Sequence, residues 1–312
     1  MASTDCDKVV FMGVLRGTHL VYRWAEMKGI DFYYIDRPYW GESRKPPYWM
    51  RCTKNQHVKT FVDNITFDDR FKQTFKNIIA DELHNKEYIS THQDRFIFIT
   101  NIVNRYFSNI SGNINILDFG SHTGVLGVIF QYYGYNIRSI DLDLVIEDNI
   151  QTYKQNDLKI DRLHQDWKKL PYEDDHFDLV IFSEVLEHLY ESPIQILKEL
   201  YRILKPEGAL ILTTPNVMKL ENKIKYFFHI NIYQDIERYC YNPRFSLHFR
   251  EYTEKDLKVL LTQFLDFKNL KFYYFDYVGG RTLLRRIIQR FIYIISYILF
   301  KLRGSILVIA KK

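Results

Sequence analysis

Three aspartates in the sequence each follow a short apolar segment, and two glycines come directly after the first of them. Asp118 ends "INILD", Asp141 ends "NIRSID", and Asp166 lies in "HQDW" after a third short strand. Gly120 and Gly124 let a ligand approach bare backbone at the start of a helix. An acid at the end of the next strand is placed to bind ribose hydroxyls. The spacing therefore indicates a nucleoside site, with turn glycines and solvated loop aspartates as the alternative.

A second group of residues could carry acid–base or metal chemistry. Glu184, Glu187 and His188 lie in "SEVLEHL", and His248 begins "HFREYT". If the first turn is helical, its three side chains share one face. Oxygen and imidazole ligands suit magnesium, manganese, iron or zinc, and without a metal His188 can serve as a general base. A histidine held by a nearby carboxylate in a structural role is the alternative.

These residues lie in an alternation of strands and helices that begins at residue 114. The strands are predicted at 114–118, 136–141, 159–163, 177–183, 208–213, 267–277 and 305–310, and the helices at 123–133, 144–155, 192–204 and 254–264. Repeated βα alternation predicts an α/β fold with a mostly parallel sheet that helices cover on both faces. Ligands of such sheets bind at the carboxyl ends of the strands.

The first part of the chain forms a separate pattern. A small βαβ unit is predicted from "VVFMGVLRG", "THLVYRWAEMKG" and "DFYYID". It is followed by irregular chain at 38–60 and by a largely helical zone at 68–110. We therefore expect a unit at 1–75 of unknown role and a larger domain at 76–312.

Composition limits the class of protein. The chain has 312 residues and a net charge of +5, which is mild for a dedicated nucleic-acid binder. Cys6, Cys52 and Cys240 are scattered, so the sequence indicates neither a disulfide framework nor a thiolate zinc site, and a reducing compartment fits best. The beginning "MASTDCDKVVFMG" does not have the pattern of a secretory signal. We expect a cytoplasmic location.

Two segments combine apolar and basic residues. Residues 281–304 carry four arginines and then an uncharged run at 291–300, which is too short to span a bilayer. The pattern is typical of an amphipathic helix in a membrane interface, and a helix packed on the sheet is the alternative. Residues 217–233 form a second such insertion. The pair predicts a hydrophobic, lipid-linked or bulky acceptor, and peripheral membrane contact through 281–304.

Five sequence motifs occur in a specific order: "ILDFGSHTG", "IDLD", "DWKKLPYEDDHFDLVIFSEVLEHL", "LYRILKPEGALILTTPN" and "HFREYT". Over roughly residues 90–312 the chain resembles class I S-adenosylmethionine-dependent methyltransferases. The resemblance implies a Rossmann-like, doubly wound, mostly parallel sheet of seven strands. One departure is His122, which stands where the family's turn most often has its middle glycine. A hydride-transfer enzyme fits less well, because a dinucleotide fingerprint needs three glycines in G-x-G-x-x-G spacing.

The resemblance also implies roles for residues around S-adenosylmethionine. Asp118 would orient the methionine end and Asp141 would hold the ribose. Asp166 would meet the adenine amino group, with Trp167 alongside. The full set of implied cofactor contacts is Asp118, Gly120, Ser121, Gly124, Asp141, Asp166, Trp167 and Ser183.

The set of Glu184, Glu187, His188 and His248 resembles the metal site of two branches of the family, the ubiquinone-biosynthesis O-methyltransferases and the small-RNA terminal 2′-O-methyltransferases. There a divalent metal gathers vicinal hydroxyls. The leading expectation is O-methylation of a glycan, a lipid-linked compound or a small hydroxyl acceptor, with Glu184, Glu187 and His188 as catalytic residues. A metal-dependent RNA 2′-O-methyltransferase and a non-catalytic cofactor-binding module are the alternatives. The front unit resembles the opening βαβ of two-lobed glycosyltransferase-like proteins.

Overall fold

The structure is a computed structural model of the chain, and it describes residues 8–12, 31–35, 86–107, 114–163, 169–233, 236–241, 247–276 and 299–312. The chain divides into two units, Met1–Gln73 and Thr74–Lys312. The second unit contains all of the described residues from Lys86 onward.

The first unit contains a parallel pair of strands. Strand β1 (Lys8–Met12) pairs with β2 (Asp31–Ile35), from Lys8 opposite Asp31 to Met12 opposite Ile35. A parallel pair needs a crossover connection, so the pairing agrees with the two strands of the predicted βαβ pattern. The helix predicted between them lies outside the described residues.

The second unit is built on a seven-stranded sheet. Its strands are β3 (Asn115–Phe119), β4 (Asn136–Leu142), β5 (Ile160–Leu163), β6 (Phe177–Ser183), β7 (Leu204–Pro215), β8 (Lys268–Phe275) and β9 (Ser305–Lys311). Their order across the sheet is β5-β4-β3-β6-β7-β9-β8, and β9 alone among the seven runs against the direction of the others. The predicted Rossmann-like, mostly parallel sheet is therefore confirmed. The order reverses between β3 and β6, which is where such sheets bind ligands.

Helices connect the strands. The described α-helices are α1 (Lys86–Phe107), α2 (Val125–Tyr132), α3 (Asp143–Asp148), α4 (Ile150–Gln155), α5 (Ile194–Ile203), α6 (Leu220–Phe227), α7 (Ile236–Tyr241) and α8 (Glu254–Thr262). Short 3₁₀ turns occur at Leu186–His188 and Phe300–Leu302. Helix α8 begins at a capping box, because Thr253 and Asp256 bond reciprocally to each other's backbone N–H groups.

Hydrophobic burial explains why these segments take these forms. Strand β6 is apolar almost without interruption and five of its seven residues are buried, as expected for a strand that helices cover on both faces. Helix α5 buries Ile196, Leu197, Leu200 and Ile203, which share one face. Each such side chain contributes about 1.5–3 kcal/mol of transfer free energy.

One helix that was predicted as continuous is interrupted in the structure. The segment 144–155 is not one helix but two, α3 and α4, with a break at Asn149. Asn149 is buried, and its side-chain amide donates to the Val145 carbonyl at 2.8 Å. A side chain that takes a backbone acceptor competes with regular helix bonding, which accounts for the interruption.

The membrane-related segments are described unequally. Within 281–304 the structure describes only residues 299–304, so the predicted amphipathic helix lies mostly outside the described residues. Residues 217–233 are described throughout and contain α6. No helix in the described parts of the chain is at once long enough and apolar enough to cross a bilayer.

Candidate active site

A cavity of about 730 Å³ lies at the carboxyl ends of β3, β4 and β6. Asp118, Asp141 and Ser183 line it from these three strand ends. The structure thus brings two of the three predicted strand-end aspartates to one hollow. Asp166 and Trp167 lie outside the described residues, so their contacts with the adenine stay predictions.

Asp118 is a buried carboxylate with an unsatisfied oxygen. The residue is 2% exposed, and Oδ2 has no hydrogen-bond partner among the residues that the structure describes. Burial, helped by the nearby negative charge of Asp141 and opposed by Arg95, raises the pKa of Asp118 to about 7. An unpartnered buried oxygen is costly by itself, so a ligand that donates a hydrogen bond or carries a positive charge would satisfy this site.

Asp141 holds the turn after β3 in place. Its Oδ2 accepts the backbone N–H of His122 and its Oδ1 that of Leu142, both at 2.7 Å. Burial raises the pKa of Asp141 to about 6, while these two bonds favour the ionised form. Each oxygen keeps a further acceptor site, which suits the hydroxyl pair of a ribose.

The turn after β3 accommodates His122 in place of the family's glycine. His122 has φ of 46°, in the left-handed region where histidine is one of the enriched non-glycine residues. Its carbonyl accepts the Tyr153 hydroxyl at 2.7 Å. Because that hydroxyl has a single proton, Ser121 must donate to the Tyr153 oxygen, which lies 2.8 Å away. These bonds hold the turn without the glycine.

The two glycines of the turn have different surroundings. Gly120 lines the cavity at φ 75°, and a Cβ there would lie 2.4 Å from Cγ2 of Val185. Gly124 is not among the residues that line the cavity, and a Cβ on it would meet Tyr153 and Leu158 at 3.0 Å. The structure therefore gives Gly124 a packing role against Tyr153 and Leu158, and its predicted cofactor contact stays a prediction.

We expect Gly120→Ala to lower the free energy of unfolding by about 2–4 kcal/mol, because it adds left-handed strain to a clash with Val185. Urea denaturation measures the loss. Gly134→Ala is the matched control, since Gly134 also has a positive φ but open space around its Cβ position. Equal losses in the two variants would contradict the packing role of Val185.

Glu184 does not share a helical face with Glu187 and His188. The 3₁₀ turn begins only at Leu186, and Glu184 lies before it with φ of 56°. Its Oε1 accepts the Thr213 hydroxyl at 2.8 Å, and Thr213 in turn accepts from Ser183. The condition that the turn is helical from Glu184 onward is therefore not met. Glu184 faces β7 and α1 instead.

Glu187 is buried with one oxygen unsatisfied. The residue is 1% exposed and its Oε2 accepts the Thr214 hydroxyl at 3.0 Å, whereas Oε1 has no hydrogen-bond partner in the described part of the chain. Burial and the negative charge of Glu184 raise the pKa of Glu187 well above its usual value. A cation at Oε1 would relieve that cost.

His188 and His248 meet beside Glu187. Their rings lie 4.9 Å apart, and the three residues place one ligand atom each within 4.8 Å of one another. Burial and the neighbouring His248 lower the pKa of His188 to about 4, so its ring is neutral near pH 7. Three of the four residues predicted as metal ligands thus come together, and Glu184 lies outside this group.

Outer contacts orient both imidazoles. His188 Nδ1–H donates to the Leu247 carbonyl at 2.9 Å, which leaves Nε2 as the free acceptor of that ring. Nδ1 of His248 lies 3.6 Å from Oε1 of Glu251. Glu251 also accepts from Asn222 and lies 3.6 Å from Nζ of Lys219. Partners of this kind fix the tautomer and direction of a ligating histidine.

Helix α1 supplies a wall of the cavity that the sequence did not predict. Tyr88, His92 and Arg95 line it at spacings of four and three residues, which place them on one helix face. The Tyr88 ring lies 4.4 Å from the rings of both His92 and His122. Arg95 is 4% exposed, donates to the Tyr88 hydroxyl and lies 3.8 Å from Glu184. The sequence does contain a signal for this wall, because these polar residues occupy positions where an amphipathic helix has its buried face.

The charges on this wall complement Asp118. Burial lowers the pKa of His92 to about 4, and the positive charge of Arg95 adds to this effect. The same two causes lower the pKa of His122 to about 4. Arg95 therefore carries the positive charge here. A guanidinium beside an unpartnered carboxylate can bind the carboxylate and ammonium groups of an amino acid.

Comparisons with known proteins agree with this geometry. A family model described as "Methyltransferase domain" matches residues 91–271, more than half of the chain. A demethylmenaquinone methyltransferase of Clavibacter sepedonicus is 30% identical over 105 residues, 33% of this chain and 42% of that protein. A probable S-adenosylmethionine-dependent methyltransferase of Mycolicibacterium smegmatis is 34% identical over 58 residues, 19% of this chain and 22% of that protein. The chain thus spans less than half the length of these curated relatives.

A search of solved structures also gives matches to methyltransferases. A SAM dependent methyltransferase from Archaeoglobus fulgidus aligns over 72% of this chain and 99% of its own, with 19% identity and a TM-score of 0.48. The family model and the strand order carry the assignment. The chain belongs to the methyltransferase-domain family, and residues 91–271 lie in a class I S-adenosylmethionine-dependent methyltransferase domain.

Proposed function

We propose that the protein is an O-methyltransferase that methylates a hydroxyl group of a glycan, a lipid-linked compound or another small acceptor. The observation that carries the proposal is one cavity with two different ends. Asp118 and Asp141 lie at the carboxyl ends of β3 and β4, whereas Glu187, His188 and His248 form a second group on the same cavity wall. The first end suits a cofactor, and the second suits a hydroxyl that must lose a proton.

The residues present fit S-adenosylmethionine. When bound, this cofactor supplies a methyl group on an already activated sulfonium. The unpartnered Oδ2 of Asp118 fits its ammonium group, and Arg95 fits its carboxylate. Asp141 has acceptor capacity left for both ribose hydroxyls. The chain's main contribution is to hold the cofactor and the acceptor in line.

His188 is the proposed general base. Its Nδ1–H is held by the Leu247 carbonyl, so Nε2 carries the lone pair that can take a proton. The lowered pKa of His188, about 4, keeps the ring neutral near pH 7 and also makes it a weaker base than an ordinary imidazole, so the hydroxyl must be polarised by its surroundings as well. A hydroxyl group must lose a proton when it is methylated, whereas a nucleophile that is already ionised does not. A base at this position therefore supports O-methylation.

A divalent metal fits the same group. Glu187, His188 and His248 offer one carboxylate and two imidazoles, a ligand set that suits manganese, iron or zinc. The unpartnered Oε1 of Glu187 is the observation that supports the fit. A bound metal supplies Lewis acidity, which makes a coordinated hydroxyl easier to deprotonate. Glu251 and the Leu247 carbonyl would hold the two rings in their ligating directions.

The acceptor side of the cavity has walls from two insertions. Lys219, Leu220 and Glu221 line it from the segment after β7, and Leu302 and Gly304 line it from the segment before β9. This mixture of apolar and charged groups supports an acceptor with both a polar head and an apolar part. Methylation of a terminal ribose hydroxyl in RNA is the second candidate, because a metal at the same group would gather vicinal hydroxyls.

Calorimetric titration of the full chain with S-adenosylmethionine and S-adenosylhomocysteine tests the cofactor proposal. We expect both to bind, and failure of both would make the enzyme proposal wrong. Titration with manganese tests the second group, where Glu187→Gln should weaken metal binding by about tenfold or more. Glu191→Gln is the matched control, because Glu191 is exposed and close in sequence. Methyl transfer to sugars, lipid-linked diols and ribose-ended oligonucleotides then separates the acceptor classes.

A further inference from the structure

We propose that Glu184 is a positioning residue, which holds the guanidinium of Arg95 in place for the carboxylate of S-adenosylmethionine. The inference rests on the proposed binding of this cofactor, and it gives a role to a residue outside the group of Glu187, His188 and His248. Glu184 and Arg95 both line the cavity, and Oε2 of Glu184 lies 3.8 Å from Nη1 of Arg95. Both side chains are largely buried, so salt screens their attraction less than that of a surface pair.

The backbone and the side chain of Glu184 are both bonded to strand β7. Its N–H donates to the Thr213 carbonyl at 2.9 Å, and its Oε1 accepts the Thr213 hydroxyl at 2.8 Å. The other carboxylate oxygen, Oε2, is the one that lies near helix α1. Glu184 therefore connects the edge of the sheet with the helix that carries Arg95.

Arg95 is held from a second direction by Tyr88. Its Nη2 donates to the Tyr88 hydroxyl at 2.8 Å, and the Tyr88 ring lies 4.4 Å from the ring of His122 in the turn after β3. A long side chain that is fixed before a ligand arrives loses less conformational entropy when the ligand binds. Glu184 and Tyr88 thus preorganise the guanidinium at its two terminal nitrogens.

Glu184 attracts Arg95 without using its hydrogen-bond donors. The 3.8 Å between Nη1 and Oε2 is longer than an N–H···O hydrogen bond, so the pair is held by charge alone. A guanidinium presents five N–H donors in a planar fork, which matches the two oxygens of a carboxylate. The Arg95 side chain therefore suits a carboxylate better than a neutral group.

Asp118 supplies the opposite charge for the same part of the ligand. Burial and Asp141 raise the pKa of Asp118, and Arg95 opposes the rise, so Arg95 and Asp118 are close enough for their charges to interact. Both residues line the cavity. The amino acid end of the cofactor offers an ammonium to Asp118 and a carboxylate to Arg95. In this arrangement Glu184 acts on the ligand only through Arg95.

Calorimetric titration of the full chain with two ligands tests the proposal. S-adenosylmethionine carries the carboxylate, whereas its decarboxylated form keeps the ammonium, the sulfonium and the nucleoside. We expect Glu184→Gln to weaken binding of S-adenosylmethionine by about tenfold, because the amide keeps the bond to Thr213 but loses the charge that holds Arg95. Binding of the decarboxylated ligand should stay at the wild-type value.

Two further variants make the comparison specific. Glu199→Gln is the matched control, because the Glu199 side chain is 14% exposed, as that of Glu184 is, and also pairs with an arginine. Glu199 is not among the described residues that line the cavity, so both ligands should bind this variant as they bind wild type. Tyr88→Phe removes the other group that holds Arg95 and keeps the ring beside His122. It should also weaken only the ligand with the carboxylate, and it serves as the test if Glu184→Gln does not fold.

The possible results separate the inference from the proposed function. If the wild-type chain binds neither ligand, the cofactor proposal is wrong and the inference falls with it. If wild type binds S-adenosylmethionine and Glu184→Gln binds it equally well, only the positioning role is wrong. Equal losses for the two ligands would assign Glu184 to packing instead. A lower kcat at saturating cofactor, with unchanged affinity, would assign it to the acceptor and overturn the proposal.

Discussion

Asp118→Asn is expected to weaken S-adenosylmethionine binding by about 10- to 100-fold, the worth of one hydrogen bond to a charged group. The substitution keeps the shape of the side chain and removes its charge. Because Oδ2 bonds to none of the described residues, the substitution breaks no hydrogen bond that the structure shows for that oxygen. Calorimetric titration measures the affinity directly.

The affinity of the wild-type protein should depend on pH through the same residue. Burial raises the pKa of Asp118 to about 7, so the carboxyl is largely neutral at pH 6 and ionised at pH 8. An ammonium group binds the ionised form better, and the wild-type affinity should therefore rise between these values. The affinity of Asp118→Asn should rise less.

Stability should change with pH in the opposite direction. A carboxyl whose pKa is raised on folding contributes stability at low pH that is lost as pH rises through the folded value. For Asp118 this window runs from its usual value of 3.8 to about 7. Asp141, with its pKa raised to about 6, adds to the same slope. Asp118→Asn should thus flatten part of the slope and be more stable than wild type at pH 8.

Asp178→Asn is the matched control for both measurements. Asp178 lies near the beginning of β6, at the opposite edge of the sheet, where it bonds to Lys205 and to the backbone of Asn115. We expect its cofactor affinity to stay at the wild-type value. If Asp118→Asn also binds the cofactor as tightly as wild type, the assignment of Asp118 to the ammonium group is wrong.

The position of the proposed cofactor end of the site follows from the sequence, because the carboxyl end of a parallel strand can be recognised from the strand's own residues. A strand that is buried on both faces has an apolar sequence, and its carboxyl end is marked by the first acid after it. Asp118 and Asp141 follow this rule, and the structure places both on one cavity.

Other parts of the site could not be predicted, because they depend on backbone and tertiary geometry. Glu184 has a positive φ, which a non-glycine residue does not reveal in a sequence, so the helical spacing of "SEVLEH" was misleading. Arg95 reaches the cavity from α1, a helix that precedes the sheet in the chain. His248 was assigned on the condition that its segment folds back over the sheet edge. The structure meets that condition, since Phe249 N–H donates to the Glu187 carbonyl at 2.7 Å.

His188→Ala is expected to lower kcat by about 10²- to 10⁴-fold, the usual contribution of a general acid or base. Its effect on S-adenosylmethionine affinity should be small, because Asp118, Arg95 and Asp141 remain. The free energy of unfolding should fall by about 1 kcal/mol through loss of the bond to the Leu247 carbonyl. Single-turnover methyl transfer with an active acceptor, beside calorimetry, separates the two effects.

Two variants make this result decisive. His176→Ala removes an exposed histidine directly before β6, at the strand end opposite the cavity, and should leave kcat unchanged. His248→Ala distinguishes a base from a metal ligand. If His188 acts alone as the base, loss of His248 should lower kcat less than loss of His188 does. If the two rings share a metal, both variants should lower kcat and manganese affinity together. A His188→Ala protein with wild-type kcat would remove His188 from the chemistry altogether.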